Sequence, residues 1–526
     1  MIPGTAVADA EGRGTGRAVA ALLGLAALLR LASLGVTEVE WWDSTIYLTE
    51  GRRIASGIPW APLYERHRAP LLPWLGALSY GAGLDAAGLY LANVLFSVGT
   101  VWLMFKAGEL LFGRRAGLVC AFLMAVSWES LFFTQRVLTE TPALFFWTLS
   151  IVFYAKSVLR GRTVWLPLLG PSVAFAFLAH FRAAAIVLAL GLHFVAARMW
   201  RRLRRRELLV SVALGLLGLA SYVVFSARRW GAPFELLRSY QVQRLGSIGT
   251  AQLGVFARYL EYLPSYLGSF LFLLLLGALA FALGGTVLSL ARRRDPQAAP
   301  ERLHRGVLLA GLVLVPLAVP SLFEKFHHRL GVFCLPGLFL VLGAATIRIE
   351  AWIRIRSVTL SRAFMAATLA VAAAQQLGTA DEWLHAEGKS YLSVREAGLW
   401  VREHTVPGAV IVTTSWPQVN FYAERPTADV PGTAEAFEAL VLERHAPFLV
   451  LSDYERVPAW VGPYLEVSPA RVRLVFGAGD IRGLRTRVYD LSRLTHEPGG
   501  RELGALGAPV RDGRGARPRG DAVDPS

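Results

Sequence analysis

The chain is 526 residues long, 54% hydrophobic and only 17% charged, with a mean hydropathy of +0.45. Soluble proteins carry about 25% charged residues, so the composition excludes a wholly soluble protein, a disordered chain and a small disulfide scaffold. The 54 Lys and Arg exceed the 38 Asp and Glu to give a formal +16, yet the basic residues sit in short segments between long apolar runs. That is how a polytopic membrane protein fixes its orientation, and it argues against a nucleic-acid partner. Cys120 and Cys334 lie in separate apolar runs and offer neither a disulfide framework nor a zinc spacing.

Apolar stretches near the roughly 20 residues that cross a hydrocarbon core begin at 18–36. They continue at 86–105, 116–133, 142–158, 164–179, 184–200, 208–226, 266–290, 307–323, 330–347 and 363–378. This predicts about eleven spans. With residues 1–17 cytoplasmic, they and the inner segments between spans hold 23 Lys and Arg, including Arg13, Arg17, the run from Arg201 to Arg206, and Arg292 to Arg294, against 13 in the outer connections. The bias supports that orientation. Arg30, Glu129 and His180 fall near span ends, where long side chains snorkel to the interface. The alternative is the ionisable path of a secondary transporter, but the internal repeats such a fold shows are not evident.

The composition changes after residue 379, and 380–493 reads as a soluble α/β domain on the outer side. Val394 to His404 has helical spacing, and Pro407-Gly408 turns into the β-rich Val410 to Thr414. Thr433 suits the N-cap of a helix running to His445, with Glu435 in its first turn. Phe448 to Leu451, Val472 to Phe476 and Thr486 to Leu491 read as further strands. Residues 494–526 are rich in Gly, Arg, Pro and Ala, the composition of a disordered tail.

Three outer connections concentrate polar residues on one membrane face. The first, 37–70, opens with Glu40-Trp41-Trp42-Asp43, continues as an interfacial helix from Ser44 to Ser56, and ends with Tyr64, Glu65, Arg66, His67 and Arg68. Asp43 fits either an N-cap of that helix or an acid used in chemistry. In the second, Arg136 precedes Glu140-Thr141-Pro142; the acid either complements the next helix dipole or serves a site. The third, Glu324 to Arg329, supplies Lys325, His327, His328 and Arg329, for lipid headgroups or for a substrate anion. Adjacent histidines do not converge on one ion, so no metal centre is predicted. The connection 227–265 places Tyr240, Tyr259 and Tyr262 at headgroup level. Acids and cations gathered at one face fit transfer of a sugar from a lipid phosphate to a hydroxyl. A carboxylate takes the acceptor proton, and fixed cations stabilise the leaving phosphate.

Over roughly Leu31 to Pro336 the chain resembles the polytopic glycosyltransferases of the GT-C superfamily. The nearest pattern is family 39, the protein O-mannosyltransferases and lipid A aminoarabinose transferases. Asp43, Tyr47, Gly57, Pro59 and Arg68-Ala69-Pro70-Leu71 match its first outer loop; Arg136, Glu140 and Pro142 match its second; Lys325 to Arg329 with Pro336 match a later basic segment. It departs in Ser44, where many members carry a second acid, in Arg68-Ala69-Pro70, and in Glu140 for the more frequent Asp.

The resemblance implies a polyprenyl-phosphate sugar donor, a protein, lipid or glycan acceptor, and a site on the outer face of a prokaryotic plasma membrane. It implies Asp43 as general base, Glu140 beside it, and Arg68, Lys325, His328 and Arg329 on the donor phosphate. Tyr47, Tyr64, His67 and Arg136 are further candidates for substrate contact. No cofactor is required, and a divalent metal stays open. An oligosaccharide ligase or polymerase, a secondary transporter and a noncatalytic binding protein are the competing readings. The module at 380–493 also resembles the tail of bacterial and archaeal members, where it either shapes the acceptor entrance or covers the membrane core; Asn420 and Tyr422 in it fit either acceptor contact or, the favoured reading, buried packing.

Overall fold

The computed structural model describes residues 3–58, 68–202, 205–235, 251–291, 298–322 and 326–496. Its helices are α1 (Pro3–Ala32), α2 (Trp42–Ser56), α3 (Leu71–Gly81), α4 (Asp85–Phe112), α5 (Arg114–Val126), α6 (Trp128–Thr134), α7 (Glu140–Tyr154) and α8 (Leu169–Ala179). Then come α9 (Ala185–Ala196), α10 (Arg205–Trp230), α11 (Ala251–Glu261), α12 (Leu263–Ala291), α13 (Ala298–Ser321), α14 (Leu335–Arg354) and α15 (Val358–Gly388). Among the described residues, 8 helical segments are long and apolar enough to cross a membrane, or 9 if α5 and α6, bent by 51°, form one broken span. Thr163–Ala179 and Phe181–Ala196 are shorter apolar helices, and with them each predicted span has a counterpart. The chain is a polytopic α-helical membrane protein.

The chain divides into two compact units. One comprises Met1–Thr37, Glu50–Ser56 and Tyr64–Gly388; the other comprises Glu38–Thr49, Gly57–Leu63 and Lys389–Ser526. The first long connection is therefore shared, and its Asp43 segment belongs with the C-terminal module. The tail expected to be disordered lies, from residue 497 on, outside the described residues.

In the helical unit, close packing rests on small residues, as it does where lipid removes the usual hydrophobic drive between helices. A Cβ at Gly108 of α4 would stand 2.7 Å from the Gly117 Cα of α5. One at Gly170 of α8 would collide with the Ser211 backbone of α10.

The break between α5 and α6 needs more than packing. Ser127, at φ −56° and ψ 122°, leaves the helical region, freeing carbonyls behind it and an N–H ahead of it in a region without water to satisfy them. Arg30 of α1 meets the first need: Nη1 donates to Ala125 O at 2.8 Å and Nη2 to Met124 O at 3.3 Å. Gln376 of α15 meets the second, its Oε1 accepting from Trp128 N–H at 3.0 Å. Arg30 also donates to Ser97 Oγ at 2.7 Å and Ser130 Oγ at 2.9 Å and is 0% exposed. It does not snorkel. The carbonyl ends of α5 hold it inside the bundle, where a cation opposes the helix dipole.

The second unit adds α16 (Leu392–His404), β1 (Ile411–Thr413), α17 (Trp416–Ala423), β2 (Thr427–Asp429), α18 (Ala434–Arg444) and β3 (Phe448–Ser452). After them come α19 (Val461–Val467), β4 (Arg473–Gly479), β5 (Arg485–Asp490) and α20 (Ser492–His496). The sheet order is β2-β1-β3-β5-β4, with β2, β1 and β3 parallel and β5 antiparallel to both β3 and β4. Alternation along the strands builds two cores. Val412, Leu449 and Leu451 face Phe437 and Val441 of α18, while Ile411 and Val450 face Val394, Ala397 and Val401 of α16. Thr433 caps α18 as its sequence predicts, its hydroxyl accepting from Ala436 N–H at 3.3 Å. The sequence reading missed β2, which is only three residues long, and did not resolve α17 as a helix.

Replacing Arg30 by Met leaves the Met124 and Ala125 carbonyls without their donor. Thermal unfolding of the protein in detergent should show a loss of about 2–3 kcal/mol, with Arg30→Lys retaining part of it. An unchanged transition for Arg30→Met would mean that the break is satisfied in another way.

Candidate active site

The connection between α6 and α7 is tied down at its backbone. Gln135 Nε2 donates to Arg30 O at 3.0 Å, Asn93 Nδ2 to Arg136 O at 2.6 Å, and Leu138 N–H to Arg136 O at 2.8 Å. These bonds deliver Glu140 to the first turn of α7, where the positive end of the helix dipole favours a carboxylate. Pro142 is harmless so early in a helix, where its missing N–H has no partner to lose.

The third connection is held by tyrosines. Tyr259 Oη donates to His327 O at 3.1 Å, and the Tyr266 hydroxyl donates to His328 O. Tyr259 is 0% exposed, its ring against Phe326. It therefore anchors the basic segment from within the protein. So anchored, the segment sets Arg329 Nε 3.5 Å from Glu140 Oε1. Glu140 is buried, whereas the Arg329 side chain keeps 32% of its surface. A partly exposed guanidinium beside a buried carboxylate keeps a fixed positive charge at this end of the helices.

Glu129, on α6 just past the break, is the neighbour that the sequence reading set aside as a span-end residue. It is fully buried and has no hydrogen-bond partner for either carboxylate oxygen. It lines a cavity of about 10 Å³, enough for about one water, together with Ser97, Thr100, Ser130, Glu140 and Thr141. Only the bend at Ser127 turns Glu129 into this cavity, so periodicity held no signal for it.

The remaining expected residues fall in several places. Arg136 is 1% exposed, with its guanidinium 3.8 Å from the centre of the Phe132 ring and Nη1 donating to Phe132 O at 3.2 Å. It is turned into the packing of its own connection and does not present a substrate contact. Tyr47 is 5% exposed on α2, again interior. His328 is buried with its ring beside Tyr262 and Trp383, an aromatic setting unlike that of an open phosphate ligand. Arg68 is half-buried just ahead of α3. Tyr64, His67 and Lys325 lie outside the described residues.

Asp43 belongs to the second unit, half-buried in the first turn of α2, which starts at Trp42 and not at Ser44. It is thus inside the helix and is not its N-cap. Among the described residues no group of three or more His, Cys, Asp or Glu is arranged to hold a metal.

The described residues thus form a polytopic helical unit with an acid and a partly exposed arginine at one set of helix ends, and a small α/β module. Residues 67–225 match the family model described as dolichyl-phosphate-mannose-protein mannosyltransferase. No curated protein matches the chain in sequence. Among solved structures, ArnT from Cupriavidus metallidurans, bound to undecaprenyl phosphate, is similar over 91% of this chain and 99% of its own, with TM-score 0.63 and 16% identity. The archaeal oligosaccharyltransferase AglB from Archaeoglobus fulgidus, solved with an inhibitory peptide and dolichol phosphate, is similar over 84% of this chain and 70% of its own. Its TM-score is 0.57 at 12% identity. The arabinofuranosyltransferase AftD from Mycobacteria is similar over 92% of this chain and 40% of its own, with TM-score 0.54 and 17% identity. The fold is that of the GT-C glycosyltransferases.

The Glu140–Arg329 pair is open to a double-mutant cycle. Unfolding of Glu140→Gln, Arg329→Gln and the double variant should reveal a coupling of about 1 kcal/mol, modest because the arginine is partly solvated. Strict additivity of the two single losses would show that the ion pair does not operate.

Proposed function

We propose that this protein is an inverting glycosyltransferase that moves a sugar from a polyprenyl-phosphate carrier to a hydroxyl acceptor at the extracytoplasmic face of a prokaryotic plasma membrane. The observation that carries the reading is the fold likeness to ArnT, an enzyme solved with undecaprenyl phosphate, over nearly the whole of both chains. The match of residues 67–225 to the mannosyltransferase family supports it independently.

In this reading the donor phosphate is held by Arg68 and Arg329, whose fixed positive charge offsets the charge that grows on the phosphate as its bond to the sugar breaks. Asp43 accepts the proton of the acceptor hydroxyl as its oxygen attacks the anomeric carbon. One bond forms, the anomeric carbon–phosphate oxygen bond breaks, and the polyprenyl phosphate leaves with the electron pair. A single displacement inverts the anomeric configuration and needs no covalent intermediate on the protein. Glu140 keeps Arg329 in place. The likeness to AglB supports a second reading, in which the donor carries an oligosaccharide in place of one sugar.

Membranes containing the protein, given labelled polyprenyl-phosphate monosaccharides and a native cell-surface extract, should transfer label from one donor. Asp43→Asn, with its fold checked by unfolding, should transfer about 100- to 10,000-fold more slowly. Equal rates would remove Asp43 as the base. Transfer only from lipid-linked oligosaccharides would favour the ligase reading, and no transfer from either donor type would count against both.

A further inference from the structure

The loop that carries Asp43 is gripped by the C-terminal module. Glu40 N–H donates to Tyr422 Oη at 2.7 Å, and Gln418 Nε2 donates to Glu40 O at 3.5 Å, so one peptide on each side of Glu40 is engaged by α17. One turn of α17 separates Gln418, which donates, from Tyr422, which accepts, and so puts both on the same helix face. Trp42 packs edge-on against Trp416 of α17, ring centres 6.0 Å apart. Upstream, Arg395 Nη1 donates to Glu38 O at 3.3 Å, and Lys389 Nζ lies 3.6 Å from Glu38 Oε1. Burial among these groups, with the Glu40 carboxylate near, pushes the Tyr422 phenol up, so Tyr422 stays a neutral hydroxyl at physiological pH. Gly398 of α16 permits the arrangement, because a Cβ there would stand 2.7 Å from the Tyr422 Cβ.

We infer that the Gln418/Tyr422 face of α17, with Trp416 at the start of that helix, is a positioning device for Asp43, which gives the C-terminal module a part in the reaction. The inference rests on the assignment of Asp43 as general base. The mechanical link is short. Glu40 is three residues before Asp43, and Thr45 N–H donates to Trp41 O at 3.0 Å to close the first turn of α2. Holding the Glu40 peptide therefore sets where α2 begins and where its second residue, Asp43, projects. A base must sit within hydrogen-bond reach of the proton it removes, and a displacement of about 1 Å from a productive geometry can cost on the order of 100-fold in rate.

The test uses the full chain in lipid nanodiscs, with hydrogen exchange and donor kinetics measured on the same samples. Tyr422→Phe removes one hydroxyl and keeps the ring, so the module should stay folded. Tyr464→Phe removes a hydroxyl from the same module away from the loop, where it donates to Glu438 Oε1 at 2.6 Å, and serves as control. Exchange in peptides covering residues 38–49 should quicken about tenfold in Tyr422→Phe and stay at the wild-type rate in Tyr464→Phe. Transfer by Tyr422→Phe should show kcat lowered about tenfold with the donor KM unchanged. On an Asp43→Asn background the same substitution should cost nothing further, since a device acting through Asp43 has nothing left to position. Unchanged exchange at 38–49 would overturn the grip, and a full tenfold loss on the Asp43→Asn background would overturn the route through Asp43. Should Asp43→Asn transfer as fast as the wild type, the general-base assignment falls and takes the catalytic half of the inference with it, while exchange still decides the grip.

Discussion

A backbone broken inside a membrane-spanning segment must have its freed polar groups met by protein, because lipid offers none. In this molecule the break at Ser127 is met from two sides, by the Arg30 guanidinium on the carbonyls of Met124 and Ala125 and by the Gln376 amide on Trp128 N–H. Much of the helical unit's polar architecture follows from it. The bend swings α6 so that Glu129 enters the cavity shared with Glu140, and Gln135, bonded to Arg30 O, ties the following connection to the same arginine. A straight span in this place would carry neither arrangement.

The acidic cavity and the basic segment then constrain each other. Glu140 sits at the positive end of α7, and Arg329 reaches it only because Tyr259 and Tyr266 bind the two carbonyls just before it. The histidines, which draw the eye in the sequence, are used for their backbone and their packing. The arginine beside them keeps the exposed charge. This division follows from side-chain chemistry: a guanidinium stays charged beside a carboxylate while part of it remains in solvent, whereas an imidazole among aromatic rings has lost its solvent.

The C-terminal module belongs to the same logic of supplied partners. It takes a stretch of the first long connection into its own compact unit and engages that stretch through backbone groups at Glu38 and Glu40 and through the Glu38 and Trp42 side chains. Contacts on both backbone and side chains constrain the path of the loop that leads into Asp43.

The sequence alone determined the polytopic helical class, an apolar helix at each predicted span, the α/β module with most of its strands and the Thr433 cap, because these rest on local hydrophobic runs, alternation and capping chemistry. The resemblance in Asp43, Arg68, Arg136, Glu140 and the Lys325 to Arg329 segment already pointed to the GT-C fold that the comparisons bear out. Tertiary structure alone decided that Arg30 is an interior cap and does not snorkel, that Arg136 and His328 are turned into packing, that Arg329 is the partner of Glu140, and that Glu129 faces the same cavity. It also decided that the loop with Asp43 travels with the distant C-terminal residues Gln418 and Tyr422. Most of these depend on contacts between segments tens to hundreds of residues apart or on one bend in a helix, and neither leaves a periodic trace in a single chain.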